Sequence, residues 1–228
     1  MSGRGTTKSY ILYGGGVTRA LGPQLVLEEG GLSYELRTLD EHKNEHRTPE
    51  YLALNPAGFI PALVTPDGLV LHEAAAIMLF LAENHVLTHL LPEMGKGFKG
   101  LFLSRLFFQT NDIQPAVRRF FKPEQYVMDK AAIPSVKSAA QASAMERWSV
   151  YNGFLERNGP YAIGDRFTLA DLHMTLWAAY GLDHPSSVLD TFPAVQRCFE
   201  LTVARPKVRP LVAKLQSDML LWSEGAQK

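Results

Sequence analysis

The spacing of apolar positions changes character near residue 90. Before it, short alternating or aromatic runs are interleaved with helical ones. Ser9–Gly14, "SYILYG", is aromatic and β-branched and predicts a strand. In "ALGPQLVLEEGG", Leu21, Leu25 and Leu27 follow helical spacing, and Gly30-Gly31 gives the stop. "SYELRTLD" alternates as a second strand, and "TPEYLALNP" predicts a short helix ended by Asn55-Pro56. "PALVTPDGLVLHE" reads as two short strands around the turn Pro66-Asp67-Gly68. "EAAAIMLFLAENH" is then a strongly apolar helix. The predicted order is β-α-β-α-β-β-α.

His89–Gly100, "HLLPEMGKGFKG", has a proline, three glycines and no periodicity, and reads as a linker. From Leu101 onward every apolar pattern is helical, from "LFLSRLFFQTNDIQPAVRRFF" to "KVRPLVAKLQSDMLLW". The chain is expected to form an α/β domain over 8–88 and an all-α domain over 98–228. Residues 1–7, small and polar, are expected to be disordered.

Composition narrows the class. The 228 residues hold 23 basic and 23 acidic side chains, which argues against a nucleic-acid partner. A single cysteine, Cys198, excludes an internal disulfide and suits a reducing compartment. The N-terminus lacks a secretory pattern, and the longest apolar run, Ala74 to Ala82, is too short to cross a bilayer. The expectation is a soluble cytoplasmic protein. The histidines show no metal-ligand spacing with acids, so no metal is expected.

Candidate chemistry centres on the first strand-to-helix turn, "LYGGGVTRALG". Its glycines match neither a dinucleotide fingerprint nor a Walker loop. Thr18 and Arg19 stand at the start of the helix, where N–H groups and the dipole favour an anion, a thiolate as well as a phosphate. Pro61 in "NPAGFIPAL" stands at a strand entrance, where a cis bond would leave the backbone of Ile60 open to an extended peptide. Glu73 opens an Ala-rich helix, either as a dipole complement or as a contact for a ligand amine. Phe107, Asn111 and Gln114 share one side of a helix, as core or as wall of an apolar pocket. Thr168-x-x-Asp171 is a capping box that sets a buried helix.

Five segments in order resemble the glutathione transferase family: "LYGGGVTRALGPQLVLEEGGLSYE", "HRTPEYLALNPAGFIPAL", "LHEAAAIMLFLAE", "YAIGDRFTLADLHM" and "FPAVQRCFELTVARPKV". They cover Ser9 to about Leu215, and the first looks most like bacterial transferases with Ser-Arg-Ala at this turn. The resemblance implies a thioredoxin-like domain followed by a helical bundle, and a homodimer. It also implies glutathione as co-substrate. Thr18 takes the position whose hydroxyl donates to the glutathione sulfur, and Arg19 adds charge beside it. His46 and Phe59 fall near the glycyl end, Ile60 and Pro61 at the cysteinyl backbone, and Glu73 and Ala74 at the γ-glutamyl end. Ala74 replaces a family serine, and Phe59 a frequent Lys, Arg or Gln. Tyr13, at the end of the first strand, is the fallback donor and, with Phe107, Asn111 and Gln114, a candidate for the electrophile pocket. The implied activity is attack of a glutathione thiolate on a small hydrophobic electrophile, with glutathione-dependent peroxidase activity also open. The alternative is a non-catalytic relative that binds a ligand or partner.

Overall fold

The computed structural model describes residues 9–91, 93, 95–180 and 187–225, with side chains as far as residue 220. The start expected to be disordered lies outside the described residues. The chain divides into two compact units, Met1–Leu91 with Pro206–Lys228, and Pro92–Arg205.

The first unit is built on a four-stranded sheet of order β2-β1-β3-β4. Strand β1 (Tyr10–Gly14) runs parallel to β2 (Tyr34–Thr38) and antiparallel to β3 (Ala62–Val64), and β3 pairs antiparallel with β4 (Val70–His72). Central position explains why Tyr10, Ile11 and Leu12 are all buried on both sides of β1. Helices α1 (Leu21–Gly30) and α3 (Ala74–Asn84) pack on one another. They bury Leu25, Leu27, Ile77, Met78 and Leu81 fully. Helix α2 (Pro49–Leu54) is capped by Thr48, whose hydroxyl accepts from the Tyr51 N–H.

The strand expected at "SYELRTLD" is β2, and its Glu35, Leu36, Arg37 and Thr38 are all exposed. An edge strand with one neighbour gains no cover from the pattern alone. The last helix was expected in the helical domain. Instead α10 (Arg209–Gly225) packs on α1 and groups with the first unit.

Among its described residues the second unit is helical apart from isolated bridges within 161–166. Helix α4 (Lys96–Phe108) begins inside the segment read as linker. The long helix read over 101–121 is instead three pieces. A π-helical turn, Gln109–Ile113, separates α4 from α5 (Gln114–Phe121). Pro115 gives the reason, since it has no N–H to donate and its ring crowds the preceding carbonyls. Then come α6 (Ile133–Asn158), α7 (Leu169–Ala179), α8 (Val188–Thr191) and α9 (Pro193–Val203). Every residue of α7 is buried, so it forms the axis of this unit. Its N-terminus carries the expected capping box between Thr168 and Asp171.

Candidate active site

The β1–α1 turn is drawn tight by its first glycine. A Cβ on Gly14 would lie 2.0 Å from that of Ala20, which only glycine tolerates. The chain then passes Gly15 and Gly16, both at positive φ, and reaches Thr18 and Arg19. These two sit in a turn just before α1, with the Leu21 and Gly22 N–H groups donating to their carbonyls. Thr18 is 7 % exposed. Its hydroxyl donates to the Gly15 carbonyl at 2.9 Å and accepts from the Ala20 N–H at 3.4 Å.

Arg19 joins a cluster that the sequence did not reveal. Its guanidinium carbon lies 5.8 Å from the centre of the Phe59 ring, and that of Arg47 lies 5.8 Å from the same ring. Arg47 also donates to the Ala57 carbonyl at 3.2 Å. A Cβ on Gly58 would meet Arg47 Nη1 at 2.6 Å, so this glycine makes room for the guanidinium. The Phe59 carbonyl accepts from Tyr51 Oη and from Asn55 Nδ2, each at 2.7 Å. Burial pushes the Tyr51 phenol up to about 12, against the opposing influence of the Asn55 hydrogen bond and the Arg19 charge. Tyr51 therefore stays a neutral donor and pins the loop ahead of the proline.

The Ile60–Pro61 bond is cis. The β1–β3 ladder reaches back to Ala62, so the peptide groups of Ile60 lie beyond its paired residues. Glu73 precedes α3 at φ 66, a strained conformation for a residue with a side chain, and its carboxylate is exposed. It makes no capping bond, so the first N–H groups of α3 have no acceptor from it. Ala74 is buried beside it. His46 lies in a 3-10 turn with Arg47, its Nδ1 buried without a partner. Tyr13 accepts a hydrogen bond from Arg37 Nη1 at 2.8 Å, and its ring lies 5.8 Å from that of Tyr51.

The turn, the cis-proline loop and the α3 terminus thus belong to one unit, with Arg19, Phe59 and Arg47 in direct association. Phe107, Asn111 and Gln114 belong to the other. Phe107 is 53 % exposed and Asn111 is also exposed, so neither is core. Gln114 is half-buried. No group of three or more His, Cys, Asp or Glu side chains suited to a metal occurs among the described residues. No helix among them is long and apolar enough to cross a membrane.

Residues 19–84 match the glutathione S-transferase N-terminal domain, and residues 109–206 match the C-terminal domain. Glutathione S-transferase 3 of Zea mays is 32% identical over 197 residues, covering 83% of this chain and 86% of the relative. The chain belongs to the glutathione S-transferase family. Disulfide-bond oxidoreductase YfcG of Escherichia coli, 28% identical over 204 residues, covers 84% of this chain and is itself 89% covered. Among solved structures, the glutathione transferase URE2P6 of Phanerochaete chrysosporium, in complex with oxidized glutathione, superposes with a TM-score of 0.82. It is 26% identical over 92% of this chain and 98% of its own. The family's thioredoxin-like domain and helical bundle are both present. Sequence reasoning missed Arg47, Tyr51, Asn55 and Gly58. Tyr51 and Asn55 had ordinary readings as part of a short helix and its stop, and the convergence of these residues depends on the fold of the 55–61 loop.

Proposed function

We propose that this chain is a glutathione S-transferase that binds glutathione on its first unit and holds the thiol as thiolate at the β1–α1 turn. The observation that carries this reading is the placement of Arg19 before α1 and against Phe59, at the loop leading into the cis-proline. A guanidinium and a helix N-terminus both favour a charged sulfur over a neutral one. Ile60 and Pro61 take the cysteinyl backbone, and Glu73 with the α3 N–H groups at Ala74 takes the γ-glutamyl end. His46 and the Arg47–Phe59 pair serve the glycyl carboxylate, which offsets the absence of a cation at Phe59 itself. The electrophile is small and hydrophobic, and Phe107, Asn111 and Gln114 of the helical unit are candidates for its wall. The Thr-Arg-Ala turn suits the bacterial type of the family. A homodimer in the cytoplasm, without nucleic acid or membrane partners, completes the reading.

One observation favours a second donor. The Thr18 hydroxyl has one proton, and it is directed to the Gly15 carbonyl. Tyr13 accepts from Arg37, which leaves its own proton to give. Thr18 serves the sulfur only after its hydroxyl rotates, whereas Tyr13 needs no such change. The test is turnover of a chromogenic aryl electrophile at saturating glutathione for Thr18→Ala, Arg19→Ala and Tyr13→Phe. At least one hydroxyl variant and Arg19→Ala should lower kcat about tenfold or more, the loss of one charge-assisted contact. Wild-type turnover and pH profile in all three would overturn the reading. Glutathione binding without turnover in the unaltered chain would favour a non-catalytic ligand-binding protein.

A further inference from the structure

The helical unit brings two guanidinium groups to one phenyl ring. Arg105 on α4 places its Cζ 3.7 Å from the centre of the Phe154 ring. Arg157, three residues after Phe154 on α6, places its Cζ 5.6 Å from the same centre. Arg105 is 7 % exposed, and its Nε is buried with no hydrogen-bond partner. Neither guanidinium is hydrogen-bonded or ion-paired to a described residue. Burial holds the Arg105 guanidinium below its ordinary value, and Arg157 acts in the same direction. Glu156, adjacent to Arg157, accepts instead from Asn152 at 2.8 Å.

An Arg105 Nε cut off from water without an acceptor is costly, and a second cation nearby adds to the cost. Stacking on a ring recovers part of it and holds the planar fork in one orientation. Phe154 is itself held edge-on by Phe108, with ring centres 5.5 Å apart. What the arrangement lacks is negative charge. Two guanidiniums at one ring, neither paired with a carboxylate, suit an oxyanion as acceptor.

We propose that Arg105 and Arg157, set against Phe154, form a binding site for a small oxyanion, a phosphate or carboxylate group. The site lies wholly within the helical unit and does not depend on the glutathione reading. It gives this unit a ligand contact separate from Phe107, Asn111 and Gln114.

The test is calorimetric titration of the full chain with inorganic phosphate, and separately with succinate, against chloride at constant ionic strength. Saturable binding of one phosphate or one succinate per chain is expected, and the better of the two identifies the preferred group. Arg157→Ala, at an exposed position, should weaken binding about tenfold while leaving the melting temperature in chloride unchanged or slightly raised, since one of two repelling cations is gone. Arg105→Lys, which keeps the charge and loses the fork, should weaken it similarly. Lys99→Ala, an exposed change on the same helix, should leave it unaltered. Absence of saturable binding of both anions overturns the site, as does binding that survives both arginine substitutions. If Arg157→Ala instead changes the oligomeric mass and leaves phosphate binding intact, the guanidiniums serve a carboxylate of another chain and the proposal fails.

Discussion

Replacing Asp171 by Ala separates a helix cap from a buried junction. A simple N-terminal cap contributes about 1 kcal/mol. The Asp171 carboxylate is wholly buried and does more. It accepts from the Ala162 N–H at 2.7 Å, the Thr168 N–H at 2.7 Å, the Thr168 hydroxyl at 3.1 Å and the Cys198 thiol at 3.5 Å. Alanine strands two buried backbone donors, at about 1–3 kcal/mol each. The substitution is therefore expected to cost about 2–6 kcal/mol, well beyond a cap. Its pH dependence is a second signature. Burial raises the Asp171 carboxyl from 3.8 to about 6, although its hydrogen bonds act in the opposite direction. A raised folded-state value means a contribution fully present below the unfolded value and lost as pH rises through the folded one. About two units correspond to about 3 kcal/mol, lost by the wild-type chain between about pH 4 and pH 7 and not by Asp171→Ala. The gap between the two proteins should thus be widest near pH 4 and narrower at pH 7. Urea unfolding followed by circular dichroism at both pH values measures it. A gap of about 1 kcal/mol, the same at both, would refute the junction and leave only a cap.

Gly58→Ala places a methyl against Arg47 at φ +62. It should cost about 1–2 kcal/mol in thermal unfolding and raise the KM for glutathione several-fold at similar kcat, because Arg47 must move. Val86 follows the His85 cap of α3 at φ 50 while 75 % exposed, a left-handed conformation that a β-branched residue resists. Val86→Gly should raise stability by about 0.5–1 kcal/mol in the same assay without touching turnover; a loss of stability would refute the strain.

The sequence made the order of elements legible because each depends on local signals. The Gly31 stop of α1, the Pro66-Asp67-Gly68 turn and the Thr168–Asp171 box all act within a few residues. What it hid was set by contacts remote in sequence or by tertiary cover. The exposure of β2 follows from its place at the sheet edge, which alternation does not encode. The π-helical turn before Pro115 follows from one missing N–H inside an otherwise continuous helical pattern. Packing of α10 on α1 is a matter of topology alone. Thr18, Arg19 and Glu73 could be singled out as candidates because helix starts are visible in sequence. Arg47 and Tyr51 were missed because Arg19, Phe59 and Arg47 meet only after the 55–61 loop folds back. Phe59 itself looked like a lost cation; the two guanidiniums at its ring restore positive charge to that position.

The most direct measurement is the thiolate absorbance of glutathione bound to the full chain, followed in the ultraviolet as pH is raised. A free thiol titrates near 8.5. Stabilisation of the charged sulfur beside Arg19 predicts a midpoint at least about one unit lower, equivalent to about 1.4 kcal/mol. That shift should shrink in Arg19→Ala. A midpoint at the free value, or no bound glutathione at millimolar concentration, would contradict thiolate activation at the β1–α1 turn.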